Sequence, residues 1–204
     1  MQEIIEYIKQ AFDLKSQKCY KQAIEMLYKA LEIESDNMEI LFQLGELYFL
    51  LNNFQRSMQY LEKVLENNPN HVEALKLIQK IYKYTNEKEN AAKIAEKIYQ
   101  IQKNQDNIIN LINALSASCN MSKISELEAL NSENDDVIYH IAKAFYDNGK
   151  IQEAKEKLEK ILEINSKNEN ALVLLGKIYL KKTNLINQKI YLIHFQKIRE
   201  ILKF

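Results

Sequence analysis

Leu41-x-x-Leu44-Gly45-x-x-Tyr48, then Asn53-Phe54, Ser57, Leu61, Val64-Leu65 and Pro69, is the stretch that decides how this chain reads. Apolar residues recur at three- and four-residue steps on both sides of Asn53, the period of an amphipathic helix. A glycine directly follows Leu44, and Ser57 takes a small position in the second half. Small side chains belong where two helices cross, because a bulky one would hold the backbones apart. Pro69 has no amide hydrogen and cannot continue the helix before it. The stretch predicts two helices packed on each other, with an enforced break at Pro69.

The same pattern repeats on both sides. Residues 4–37 carry Tyr7, Ala11 and Leu14, then Ala23, Leu27, Ala30 and Leu31. Residues 72–105 carry Leu75, Ile78 and Tyr82, then Ala91, Ala95 and Ile98. Residues 135–168 carry Ile138, Ile141-Ala142, Phe145, Gly149, Ala154 and Leu158, and a further unit opens at Glu169 with Leu172, Leu175-Gly176 and Tyr179. Ala11, Gly45, Ala142 and Gly176 are expected on one side of the helix crossings, and Ala23, Ser57, Ala91 and Ala154 on the other. Gln79 departs from the pattern and Gln188 stands where a small residue belongs. The spacing and the small–apolar–aromatic order resemble the tetratricopeptide repeat, a helix–turn–helix unit of about 34 residues. The resemblance implies an all-α fold: a right-handed α-solenoid of about six antiparallel helix pairs, forming one domain over residues 1–204.

Residues 106–134 break the period. They are 29 residues, about five fewer than a full unit. Ile108, Leu111, Ile112 and Leu115 predict one short helix, and Ile124, Leu127 and Leu130 another. The expectation is a shortened fourth pair that still stacks; the alternative is a bridge between two solenoids, 1–105 and 135–204. The last unit, 169–204, is expected to end in a capping helix over 188–204. Its Ile190, Leu192, Ile193, Phe195, Ile198, Ile201, Leu202 and Phe204 spread over more than one face. An end cap needs a polar outer face, so this segment is also a candidate surface for homo-oligomer formation. Asp36 with Glu39, and Asn70 with Glu73, read as helix-start capping pairs. Gly149 follows Asn148 where a helix end favours a left-handed residue.

Composition agrees with an all-helical chain. Three glycines and one proline in 204 residues are far below the usual shares of about 7% and 5%. Lysine and arginine together balance aspartate and glutamate, so no whole-molecule field favours nucleic acid or an anionic membrane. No run approaches a membrane-spanning length, and Met1 to Ile4 lack the basic start of a secretory signal. Cys19 and Cys119 show no paired spacing and read as reduced thiols, so the expected location is cytoplasmic.

The residues carry no pattern for catalysis, a cofactor or a metal. His71, His140 and His194 are isolated from other ligand types, the three glycines form no phosphate-binding loop, and Asp135-Asp136 reads as helix-start charge. The resemblance implies instead a non-catalytic scaffold. In such proteins the first helices of successive units line a concave groove that holds a peptide or helix of a partner. In this register the groove residues are Ile8 and Phe12; Phe42, Glu46 and Phe49; Lys76, Lys80 and Lys83; Tyr139, Lys143 and Tyr146; and Lys177. Phe12, Phe42 and Phe49 are expected to form one aromatic strip with the lysines beside it, matching a protein ligand that is apolar with an acidic end. The lysine–asparagine clamp by which one variety of these domains grips a carboxylate tail is absent: its places hold Ile8, Phe12, Gln43, Glu73 and Leu77. No nucleic-acid or membrane partner is expected, since Glu39, Glu46 and Glu73 interrupt the basic face that RNA-reading repeats need. The alternatives are a self-assembly module and an accessory arm of a larger enzyme.

Overall fold

The computed structural model describes residues 2–131 and 134–181, and these contain helices and turns but no strand. The helices run α1 Gln2–Ser16, α2 Tyr20–Ile33, α3 Met38–Leu50, α4 Phe54–Asn67, α5 Val72–Tyr84, α6 Lys88–Ile101, α7 Gln105–Ala117, α8 Met121–Leu130, α9 Asp135–Asp147 and α10 Ile151–Ile164. Residues 169–181 are helical as well. The expected capping helix over 188–204 lies outside the described residues. Two compact units divide the chain, Met1–Asn107 and Ile108–Phe204.

Each described pair, from α1–α2 to α9–α10, is closed by the same turn. Asn53 N–H donates to the Tyr48 carbonyl at 2.9 Å and Asn52 N–H to that of Phe49 at 2.9 Å. These two bonds are the Schellman closure of a helix end, which needs one left-handed residue. The residue in that place is Lys18, Asn52, Asn86, Cys119 or Gly149, with φ between 57° and 78° throughout. Gly149 is where the sequence placed it. At the other four positions a side chain is held in a conformation that costs about 1–2 kcal/mol for an ordinary L-residue.

The junctions between pairs are capped one residue later than the sequence reading had it. The Asn37 side chain, not that of Asp36, accepts from the amides of Glu39 and Ile40 at 3.0 and 3.2 Å. His71 Nδ1, not Asn70, accepts from Ala74 N–H at 3.2 Å. Asn134 and Asn168 do the same for the helices that follow them. Before Asn37, His71 and Asn168 the turn uses two residues, which places the capping side chain at the last residue of the repeat, whereas α7 is capped by Asn104.

At the crossing of α3 and α4, a Cβ on Gly45 would lie 2.8 Å from Leu61 Cδ2 and 2.9 Å from its Cγ. Ser57 Oγ donates to the Gly45 carbonyl across this crossing at 2.7 Å. Gln79, at the place of Gly45 in the next pair, is buried and sends Nε2 to the Ala91 carbonyl at 3.4 Å. The polar bond across the crossing is therefore kept but comes from the other helix. That is how a long side chain is tolerated where a small one was expected.

Four of the five residues missing from 106–134 fall on one element. α7 has 13 residues, as do α3, α5 and α9. α8 has 10, against 14 in α4, α6 and α10. In the first unit, Ile4, Ala11, Leu27, Ile40, Leu44 and Leu47 pack into one cluster, and Leu41, Leu61, Val64, Leu77, Ile78 and Ile81 into the next. Tyr28, Tyr48 and Tyr60 tie α2, α3 and α4 by shared hydroxyl bonds of 2.7 and 3.0 Å, with Arg56 donating to the Tyr48 hydroxyl at 2.9 Å. Burial, first of all, raises the pKa of Tyr28 and Tyr48. In the helix over 169–181 the buried residues are Ala171, Leu174 and Ile178, while Leu172 and Tyr179 are exposed. Those two, with Gly176, stand at the places that face a unit's own second helix, and here that segment falls outside the described residues.

Candidate functional site

In the first unit the groove positions lie on α1, α3 and α5. Ile5 and Phe12 are 63% and 65% exposed, and Ile8 between them is half-buried. Residues 5, 8 and 12 share one helix face, so α1 presents an apolar stripe to solvent. Beside it lies a slot of about 140 Å³ whose lining includes Ile8, Phe12, Lys15, Glu39 and Gln43. Lys15 Nζ donates to Gln43 Oε1 at 3.1 Å and pairs with Glu46, which spends both charges locally.

Phe12, Phe42 and Phe49 share a side of the first helices, but their rings do not touch. Phe42 packs on His71 with centroids 5.1 Å apart. Phe49 joins Phe54 and Tyr84 at 5.8 and 5.7 Å. Phe42 and Phe49 are half-buried. The expected single strip is not built of ring contacts, although Phe42 and Phe49 pack against one buried cluster that includes Leu41, Leu61, Leu77 and Ile78. Sequence spacing could not show this, because the ring contacts involve His71 and Phe54 from outside the groove positions. Lys76, Lys80 and Lys83 stand together on the exposed side of α5. Partial burial of its ammonium, then the Lys80 charge, holds Lys83 below the ordinary lysine pKa.

In the second unit, Tyr139 and Tyr146 are half-buried and Lys143 and Lys177 exposed. Lys143 pairs with Asp147 at 2.8 Å. Tyr139 sits edge-on to His140 at 5.4 Å. His140 Nδ1 is buried without a hydrogen-bond partner. Burial, then the Lys143 charge, lowers its pKa, while Asp136 works against them. Residues 146–181 also form a cavity of about 200 Å³ whose lining includes Tyr146, Ile151, Lys155 and Lys181. The sequence reading had Tyr146 from this set as a groove residue but not Lys155. Lys155 sits over the Tyr179 ring at 5.3 Å and Lys181 over that of Tyr146 at 5.6 Å. A hydrogen bond to Tyr179, then Glu159, raises the Lys155 pKa.

Among the described residues no helix is long and apolar enough to cross a membrane. The arrangement offers apolar points, lysines and clefts of side-chain size, which suit the capture of a polypeptide segment.

Comparison with known proteins agrees with this architecture. Tetratricopeptide-repeat family models match residues 14–81 and 136–167. No curated protein matches the chain. Among solved structures, YrrB, described as a TPR protein with an unusual peptide-binding site, is 17% identical with a TM-score of 0.57, covering 82% of this chain and 89% of its own. A MamA fragment from Desulfovibrio magneticus RS-1 is 17% identical with a TM-score of 0.62, covering 83% and 98%. A tetratricopeptide repeat protein from Parabacteroides merdae ATCC 43184 is 19% identical with a TM-score of 0.55, covering 88% and 72%. With two matched stretches of repeat, the same fold in solved repeat proteins and one closing turn used by every described pair, the chain is built of tetratricopeptide repeats.

Proposed function

We propose that this protein is a non-catalytic scaffold that holds a peptide or helix of a partner protein on the α1–α3–α5 face of its first unit. The observation that carries the reading is the stripe of exposed Ile5 and Phe12, with half-buried Ile8 between them, beside the slot over Glu39 and Gln43. Water-facing aliphatic and aromatic groups in a row mark a contact surface more often than a solvated one. Lys76, Lys80 and Lys83 supply positive charge on α5, so the fitting ligand is apolar at one end and acidic at the other. A peptide-display selection against the full chain tests this. Enriched peptides should be apolar–acidic, and Phe12→Ala should weaken them at least about fivefold with an unchanged melting temperature. Equal binding to the variant would move the site elsewhere.

A self-assembly reading rests on residues 188–204, whose Ile190, Leu192, Ile193, Phe195 and Ile198 are apolar in sequence. Light scattering at tens of micromolar decides it: a monomer removes the reading.

A further inference from the structure

Corresponding places in two repeats are filled in one and open in the other. Phe49, Phe54 and Tyr84 close on one another with centroids 5.7 to 5.8 Å apart. In register, Tyr146, Ile151 and Lys181 take their places in the second unit. Ile151 is shorter than a phenylalanine. Lys181 brings no ring; its ammonium lies over Tyr146 instead. Met58 is replaced in register by Lys155, whose ammonium lies over Tyr179. What was packed aromatic volume is therefore a cavity of about 200 Å³ with Ile178 buried at its wall and two lysines on its lining. An enclosed void of about 150 Å³ accepts a benzene ring, so the space suits one large apolar side chain.

We propose that this cavity binds an acidic, apolar peptide segment of a partner protein, with an apolar side chain between Ile151 and Ile178 and a carboxylate facing Lys155 and Lys181. Charge complementarity selects this occupant. The chain's own residues 182–204 carry Lys182, Lys189, Lys197, Arg199 and Lys203 against a single acid, Glu200, a poor charge match for the same lysines. A nucleic-acid strand needs a cationic track, whereas Lys155 already shares its charge with Glu159 at 3.4 Å. The site goes beyond the first-unit groove and uses none of its residues, so either can fail alone.

The test is NMR titration of the full chain with a hexapeptide of alternating glutamate and phenylalanine. A lysine–phenylalanine hexapeptide and an oligouridylate serve as controls. The acidic peptide should shift signals of residues 146–155 and 178–181. Lys155→Glu with Lys181→Glu should weaken it at least tenfold. Ile151→Phe with Lys181→Tyr rebuilds the filled arrangement of the first unit, so it should fold normally and abolish binding, while Phe12→Ala should leave these shifts unchanged. The proposal is overturned by no binding at millimolar peptide, by equal binding of either control, or by undiminished binding to the filled variant. Binding seen only after Ile190→Ser with Leu192→Ser also overturns it, since residues 182–204 would then be the occupant.

Discussion

Single positions in this fold differ in what they tolerate, and two glycines show it. Gly45 has Leu61 within 2.9 Å of where its Cβ would stand, and Leu61 is fully buried. Gly45→Leu should cost about 1–3 kcal/mol by overpacking, read as a lower denaturation midpoint. Among the described residues no heavy atom lies within 4 Å of the same point at Gly176, and glycine inside a helix costs up to about 1 kcal/mol of propensity relative to alanine. His140 offers a pH test. Its folded-state pKa lies below the ordinary value of 6.5, so between the two values the unfolded chain binds more protons than the folded one. Stability therefore falls as pH drops below about 6.5 and levels off under the folded value. Leu77 and Leu174 are buried at the matching places. His140→Leu should remove this slope and raise stability, since an unsatisfied buried polar atom costs about 1–3 kcal/mol. Urea melts at pH 7.5 and 5 compare the two chains; parallel losses would refute the role of His140.

The informative element is α8. Four residues shorter than its counterparts, it buries Ile124 completely and is tied to α10 by Lys157, which reaches both oxygens of Glu128 at 2.5 and 2.6 Å. The lysine also lies over the Phe145 ring at 4.8 Å. A short helix has little propensity to stand alone, so the ion pair matters more here than on an ordinary surface. Lys157→Gln should speed amide exchange within 121–130 more than within α9; uniform exchange would show that the pair is ornamental. The turn before α8 carries Cys119 at φ 58°. Cys119→Gly should relieve its left-handed strain and raise stability by up to about 1 kcal/mol, checked by thermal melting.

At the scale of the molecule, charge sums to zero, so steering must come from local groups. Lys76, Lys80 and Lys83 are the group beside the proposed groove. Lys80→Glu should slow association with an apolar–acidic peptide and reverse its salt dependence, moving the melting temperature by less than a degree; stopped-flow measurements at two salt concentrations check this. We propose that the chain unfolds as one domain, because α7 runs continuously across the 107/108 division of the two units. A single calorimetric transition is expected, and two separated transitions would divide the chain there.

Helix pairs, their register and the shortened fourth unit follow from periodicity and from where glycine, alanine and proline stand. These are short-range signals: a residue's place on a helix face depends on spacing alone. Gly45 at a crossing and Gly149 in a turn were legible for that reason. Asn37 and His71 were missed as caps by one residue, because several polar side chains compete at each junction and only the turn geometry chooses among them. The candidate site was legible as positions but not as contacts. Phe49 meeting Phe54 and Tyr84, Lys15 meeting Glu46, and the cavity left by Ile151 and Lys181 each depend on side chains from different helices reaching one point. Spacing says which way a residue faces; packing between elements decides what it meets, and only the tertiary structure holds that information.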